Sequence, residues 1–303
     1  MLMFKQNRWR FCSTALTVFC LYSAPALAQN TLESIQETGV LSLGIREDAA
    51  PFGYVGSNEQ LRGYCLDFFA LLEEKLTEYL PRNTLSTRLV KSTVGNRFEL
   101  VDKGVIDIEC GPNTIRELSL SNVGFSRPFF IANTQFLTTE ASNFELNSNL
   151  SEVTIGVIAN TTTEQLVRER YPNAKLVLYS GITARSRGVQ AVAQGRIDAM
   201  VSDGILLRAE AARQSLSVEE FILIPTITEV FDDELLSRRD RYGMIIPAND
   251  TLWENFVNSV IESPESQQLL RSWFQDNVEL LELEPQNSTP ETESTNSELP
   301  HKK

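Results

Sequence analysis

Histidine is almost missing from this 303-residue chain: the single one, His301, lies at the third position from the C-terminus. With no interior histidine, Ser-His-Asp and Cys-His catalysis and His-ligated zinc are excluded by inventory. Cysteine is scarce as well. Of four, Cys12 and Cys20 fall in an N-terminal leader, leaving Cys65 and Cys110 with no C-x-x-C spacing and no cluster of further ligands. Neither a metal nor a cofactor is expected from such a set. Basic runs are absent too, and Asp plus Glu outnumber Lys plus Arg by 40 to 27, for a formal charge of −13. A surface of that sign repels phosphate backbones and anionic lipid, so nucleic acid and membrane surfaces are poor partners.

The first residues have the form of an export signal. Lys5, Arg8 and Arg10 make a basic segment, the apolar stretch Phe11 to Leu21 is short for a bilayer span, and Ala26-Leu27-Ala28 is a small-residue cleavage pattern. Cleavage after Ala28 and a periplasmic location are expected. Loss of those three cations takes the formal charge from −13 to −16. In an oxidising compartment the isolated pair Cys65 and Cys110 reads as a structural disulfide, two buried thiols being the alternative.

From Thr31 to about Leu283, short β-rich runs alternate with helical patterns, the mark of an α/β protein with mainly parallel sheets. Strands are expected at Val40 to Ile45, Leu85 to Val90, Val105 to Ile108, Val153 to Ile158, Leu176 to Tyr179, Ile197 to Val201 and Phe221 to Ile224. Between the first two, Leu66, Phe69, Leu72, Leu76 and Leu80 keep helical spacing until Pro81. Asp250 to Ser263 and Pro264 to Gln275 are further helical patterns, with Trp253, Phe256 and Trp273 as packing residues. A weak repeat is present: Lys103-Gly104-Val105-Ile106-Asp107 and Gln194-Gly195-Arg196-Ile197-Asp198 each set a glycine between a helix and a strand. Two similar α/β units follow from it. Residues 284–303 are polar and Pro-, Ser-, Thr- and Glu-rich, which reads as a disordered tail.

Several strings occur in an order that resembles the family 3 solute-binding proteins of amino-acid ABC transporters, the glutamate/aspartate-binding branch most closely. They are Gly44-Ile45-Arg46-Glu47, Pro51-Phe52-Gly53-Tyr54, Gly63-Tyr64-Cys65-Leu66-Asp67, Asn96-Arg97 and Asp107-Ile108-Glu109-Cys110-Gly111. Thr161-Thr162-Thr163-Glu164, Gly195-Arg196 and Ser202-Asp203-Gly204-Ile205-Leu206-Leu207 follow. The resemblance implies a two-lobed Venus-flytrap fold joined by two crossing strands, here Thr134 to Thr139 and Arg241 to Ile246. Lobe 1 is then 29–137 with the return segment 240–283, and lobe 2 is 138–239. A monomer that hands an amino acid to the membrane permease of an ABC transporter is implied.

An amino acid requires an acceptor for its ammonium and donors for its carboxylate once water is expelled. The resemblance assigns the ammonium to Asp203, whose other reading is a helix cap. Thr161 and Thr162 precede a helix and can present hydroxyls and N–H groups to an anion; Thr161 with Glu164 also fits a capping box. Asn160 stands where the family carries glycine. Thr114 and Arg116 lie where the family clamps the α-carboxylate, but Ser119 occupies the usual arginine position. Arg46 and Arg97 match positions that neutralise a side-chain carboxylate, with Arg185 near a further cleft position. Phe52 or Tyr54 is expected to wall the cleft against the ligand's carbon chain. Two rival readings use the same fold: a cyclohexadienyl-dehydratase-like enzyme with Glu164 or Glu47 as acid or base, and a sensory ligand-binding module.

Overall fold

A computed structural model describes residues 30–274 apart from 57, 83, 143, 145, 147–149, 217–219 and 226–238. The export signal read at 1–28 and the tail read at 284–303 lie outside the described residues.

The first helix, α1 (Thr31–Thr38), opens on Asn30, whose side chain accepts from the Glu33 N–H at 2.9 Å, and closes on Gly39 at φ 71°. β1 (Val40–Arg46) leads into a small antiparallel sheet of β2 (Asp48–Ala49), β3 (Gly53–Val55) and β4 (Leu61–Arg62). Helix α2 (Tyr64–Tyr79) buries Phe68, Phe69, Leu72 and Leu76 on one face and ends before Pro81. β5 (Ser86–Ser92), α3 (Arg97–Asp102), β6 (Ile108–Cys110) and β7 (Val123–Phe125) complete the first pass through lobe 1. The Cys65–Cys110 disulfide, with Cα atoms 5.6 Å apart, ties the first turn of α2 to the end of β6. It fixes the point from which the Gly111 to Arg116 segment departs.

β8 (Phe130–Thr139) crosses to lobe 2, which holds β9 (Thr154–Ile158), α4 (Thr162–Arg170), β10 (Lys175–Tyr179), α5 (Ala184–Ala193), β11 (Ala199–Asp203), α6 (Gly204–Arg213) and β12 (Phe221–Ile224). β13 (Arg239–Tyr242) crosses back, and β14 (Ile245–Pro247), α7 (Thr251–Ile261) and α8 (Pro264–Phe274) finish lobe 1. Residues Phe130 to Asn133 of β8 pair with β13, whereas Thr134 to Leu137 pair with β11. The exchange of partners thus precedes the 137/138 boundary read from sequence. The second crossing, read as Arg241 to Ile246, divides at Gly243, where a β-carbon would meet Ile115 and the Ser126 carbonyl at 2.9 and 3.0 Å.

The sheets are mixed, with the same arrangement in each lobe. Lobe 1 runs β5-β1-β6-β14-β7 and lobe 2 runs β10-β9-β11-β8-β12; the first three strands of each are parallel and the rest antiparallel. The two glycines of the repeat are equivalent, Gly104 and Gly195 both at φ 63°. Asp107 Oδ2 accepts from the Ser42 N–H and Asp198 Oδ2 from the Thr154 N–H, each at 2.7 Å. Each aspartate therefore pins its β-strand to the one that opens its lobe.

Apolar burial follows the strand period. Along β11, Ala199 and Val201 face one cluster with Val167 and Tyr171 of α4, while Met200 faces another with Val189 and Val192 of α5. Lobe 1 has an aromatic-rich core that includes Phe52, Tyr64, Phe129, Phe130, Tyr242, Trp253 and Phe274. Trp253 is fully buried and its indole N–H donates to the Asp107 carbonyl at 2.9 Å.

Candidate ligand-binding cleft

Strand ends and helix starts from both lobes meet at a partly enclosed cleft. Its walls include Arg46, Arg97, Thr114 and Arg116 from lobe 1 and Thr161, Thr162, Arg185 and Asp203 from lobe 2. Eight of the nine ligand-binding residues read from sequence are thereby brought together. The Thr114 and Thr162 hydroxyls face each other at 3.4 Å across the lobes.

On the lobe 1 wall, Arg46 ends β1 and is 1% exposed. Its guanidinium makes two parallel hydrogen bonds to Asp48, Nε to Oδ1 at 2.7 Å and Nη2 to Oδ2 at 2.8 Å. Burial pushes the Asp48 carboxyl upward, but the Arg46 charge and hydrogen bonds outweigh it, and the net direction is below the ordinary range. Arg97 opens α3 and is buried, yet its Nε and Nη1 have no hydrogen-bond partner. Desolvation, and then repulsion from Arg46, bring Arg97 down to about 10, with Glu109 opposing, so it remains a cation at neutral pH. Glu109 itself is fully buried and accepts from Ser92 Oγ at 2.7 Å and Asn113 Nδ2 at 2.6 Å. Arg116 lies over the Phe98 ring at 5.0 Å and donates to the Thr114 carbonyl at 3.3 Å.

On the lobe 2 wall, Thr161 caps α4: its hydroxyl accepts from the Glu164 N–H at 3.2 Å and donates to the Ile158 carbonyl at 2.7 Å. The capping reading of Thr161 is thus realised, while Glu164 accepts from the N–H of Asn160, the residue before the cap, at 2.8 Å. Asn160 takes φ 63°, a left-handed conformation that asparagine tolerates better than most residues, which accounts for its standing in a glycine position. Arg185 is buried, donates from Nη1 to the Asp48 carbonyl at 2.5 Å and leaves Nε unpartnered. Desolvation lowers the Arg185 pKa.

Asp203 sits at the N-cap of α6 but makes no capping hydrogen bond. It is buried, Oδ2 accepts from the Tyr242 hydroxyl, and Oδ1 has no partner. Burial raises its carboxyl to about 6, against the opposing effects of Tyr242 and Arg185.

The ninth residue, Phe52, is not in the cleft. It is fully buried in the lobe 1 core, with ring centroids 5.1 Å from Phe130 and Phe274 and 5.4 Å from Tyr242. A ring without polar atoms gains more from that aromatic cluster than from a cleft edged by charges. Tyr54 is half-buried under the Arg213 guanidinium, 5.5 Å from its ring centroid, and so marks a contact between lobes. Sequence reasoning missed Asp48, Glu109 and Tyr242. Asp48 and Glu109 each lie within a string of the resemblance or two residues from one, but a carboxylate beside an arginine gives no sign of being buried. Tyr242 was read only as part of a crossing strand.

Taken together, four guanidinium groups (Arg46, Arg97, Arg116, Arg185) line the cleft with the Asp203 carboxylate, and further carboxylates act from behind them: Asp48 on Arg46, Glu109 on Arg97 and Asp240 on Arg116. An orphaned carboxylate oxygen on one side and an orphaned guanidinium edge on the other form a receptor for a small molecule bearing both an ammonium and an anionic group. Among the described residues no group of three or more His, Cys, Asp or Glu side chains could hold a metal, and no helix is long and apolar enough to cross a membrane.

The chain is 26% identical over 254 residues to the glutamate/aspartate import solute-binding protein of Escherichia coli K12, covering 83% of this chain and 80% of that protein. It is 28% identical over 274 residues to the L-glutamate/L-aspartate-binding protein of Pseudomonas aeruginosa, with 86% of each covered. Among solved structures, an ancestral amino acid-binding protein described as a precursor of cyclohexadienyl dehydratase matches with TM-score 0.65 at 22% identity, covering 82% of this chain and 99% of that one. A variant of ArgBP from T. maritima matches with TM-score 0.66 at 23% identity, covering 81% and 99%. These two likenesses bear on the fold alone. The model of the bacterial extracellular solute-binding proteins, family 3, matches residues 41–276, and the chain belongs to that family.

Proposed function

We propose that this protein captures glutamate or aspartate between its lobes, outside the cytoplasmic membrane, and delivers it to the permease of an ABC transporter after loss of residues 1–28. The observation that carries the reading is the buried Arg97 guanidinium, whose Nε and Nη1 have no hydrogen-bond partner. The second carboxylate of a dicarboxylic amino acid can pair with that edge, whereas a neutral side chain leaves it without an anionic acceptor. The named relatives from E. coli and P. aeruginosa support the same ligand class. In this reading Asp203 takes the ammonium, Thr114, Thr162 and Arg116 hold the α-carboxylate, and Arg97 with Arg185 receives the side-chain carboxylate. Arg46 acts mainly through its field, because Asp48 already occupies its fork. An acid–base enzyme is disfavoured by the engagement of both candidate carboxylates: Glu164 caps α4 and pairs with Arg168 at 2.9 Å, and Glu47 pairs with Lys91.

Arg97→Met is the cleanest test, since Arg46→Met would strand Asp48 without its partner. Calorimetry should show glutamate weakened at least about ten-fold more than glutamine, because the neutral amide does not require the missing charge. Equal losses for the two ligands would contradict the assignment of the side-chain carboxylate to Arg97.

A further inference from the structure

We infer that Tyr242, a residue of the return crossing strand, is the positioning residue for the ammonium acceptor: its hydroxyl holds one oxygen of Asp203 and turns the other toward the ligand. The inference rests on the proposed role of Asp203 as the ammonium acceptor, and independently of which amino acid is bound.

The geometry is specific. Tyr242 is fully buried, and its hydroxyl donates to Asp203 Oδ2 while Oδ1 is left unpartnered. Asp203 makes no capping bond to α6, so its own helix does not orient it. The tyrosine ring is in turn fixed by Phe52 and Phe130, at centroid distances of 5.4 and 5.8 Å, which directs the hydroxyl out of the aromatic core. Phe52 thereby acts on the cleft through Tyr242 instead of lining it.

The backbone around Tyr242 reaches the opposite end of the ligand head. Tyr242 forms an antiparallel bridge with Thr114, the Ile115 N–H donates to the Arg241 carbonyl at 2.8 Å, and the Gly243 N–H donates to the Asn113 carbonyl at 3.0 Å. One strand segment therefore sets both the lobe 2 ammonium acceptor, through a side chain, and the lobe 1 hydroxyl Thr114, through main-chain bonds. Because β13 pairs with the first half of β8, this segment moves with the crossing, and the Tyr242 to Asp203 contact spans the two lobes. The groups that act on this pair are Arg185 of α5, which stabilises the Asp203 anion, and Asp240 of β13, which disfavours ionisation of Tyr242.

Tyr242→Phe keeps the ring and removes the hydroxyl. Wild type and variant are to be titrated by calorimetry from pH 5 to 8.5 with L-glutamate, L-glutamine and L-arginine, which share the α-ammonium. The variant should bind each probe that the wild type binds about ten-fold more weakly at neutral pH, the loss expected for a charge-assisted hydrogen bond. Loss of the hydroxyl also removes a donor that favours the Asp203 anion, so the acid-side fall in affinity should move to higher pH. Unchanged affinity with an unchanged acid limb would overturn the inference. Weaker binding with an unmoved acid limb and a lowered Tm would do so too, marking Tyr242 as a packing residue. Preference of the wild type for glutamine or arginine refutes the acidic ligand while leaving the test of Tyr242 intact; binding of none of the three, nor of L-aspartate, refutes both.

Discussion

A buried carboxylate with one oxygen unpartnered carries an unfavourable desolvation cost until a cation arrives, and Asp203 is in that condition. Its pKa in the folded chain, about 6, lies above the ordinary carboxylate value, so the associated stability is fully present at low pH and is lost as pH rises through 6. Asp203→Asn should therefore make the ligand-free protein more stable than wild type at pH 7.5, by on the order of 2 kcal/mol, with the difference vanishing near pH 4. Urea denaturation of both forms at the two pH values measures this. Amino-acid binding should be lost in the same variant, and in wild type it should weaken as pH falls below 6, since the ammonium requires the ionised acid. A variant less stable than wild type at both pH values would show that Asp203 serves the fold. Asp203 could be found from sequence because it ends a β-rich run inside a string shared with the family. Tyr242 and Phe52 could not be told apart in the same way. Both are aromatic and both are buried, and the property that separates them is a single hydroxyl aimed across the lobes.

Between residue and lobe, the two matched connections show how short strings set the elements. Gly104 and Gly195 share φ 63°, and a β-carbon at either would meet nothing within 4 Å. Space is therefore not the constraint; the left-handed backbone is. Gly104→Ala and Gly195→Ala should each destabilise by about 1 kcal/mol, and by similar amounts, without altering ligand affinity. Denaturant titration with calorimetry would check it, and a neutral alanine at one site would break the equivalence of the two connections. This repeat was legible because glycine and the following aspartate do local work that leaves a local mark. The β2-β3-β4 sheet and β7 were not read from the sequence. Each strand has only two or three residues, too few for a period-2 pattern to emerge, and β7 is held by pairing with β14, far along the chain. β6 was read early for a related reason: Val105 and Ile106 are apolar and precede the paired residues, packing in a cluster with Val101, Val123 and Ile245.

At the scale of the molecule, several of the described contacts between the lobes lie around the cleft. Besides Tyr242 with Asp203 and Thr114 with Thr162, Arg185 donates to the Asp48 carbonyl, and Arg213 donates to the Val55 carbonyl at 3.1 Å. Arg185, Asp203, Thr114 and Thr162 thus both line the cleft and join the lobes. The chain as a whole carries a formal charge of −13, yet its cleft concentrates four arginines. Bulk charge alone would disfavour an anionic ligand, so the proposed selectivity for an acidic amino acid requires the local array of buried arginines, where charge pairing is strong. The most direct measurement is calorimetric titration of wild-type protein lacking residues 1–28 with L-glutamate, L-aspartate, L-glutamine and L-arginine at pH 7.5. The expected result is that glutamate or aspartate binds more tightly than both others by at least about ten-fold, the margin of one compensated charge. Glutamine or arginine binding as tightly as the acidic amino acids, or more so, would contradict it.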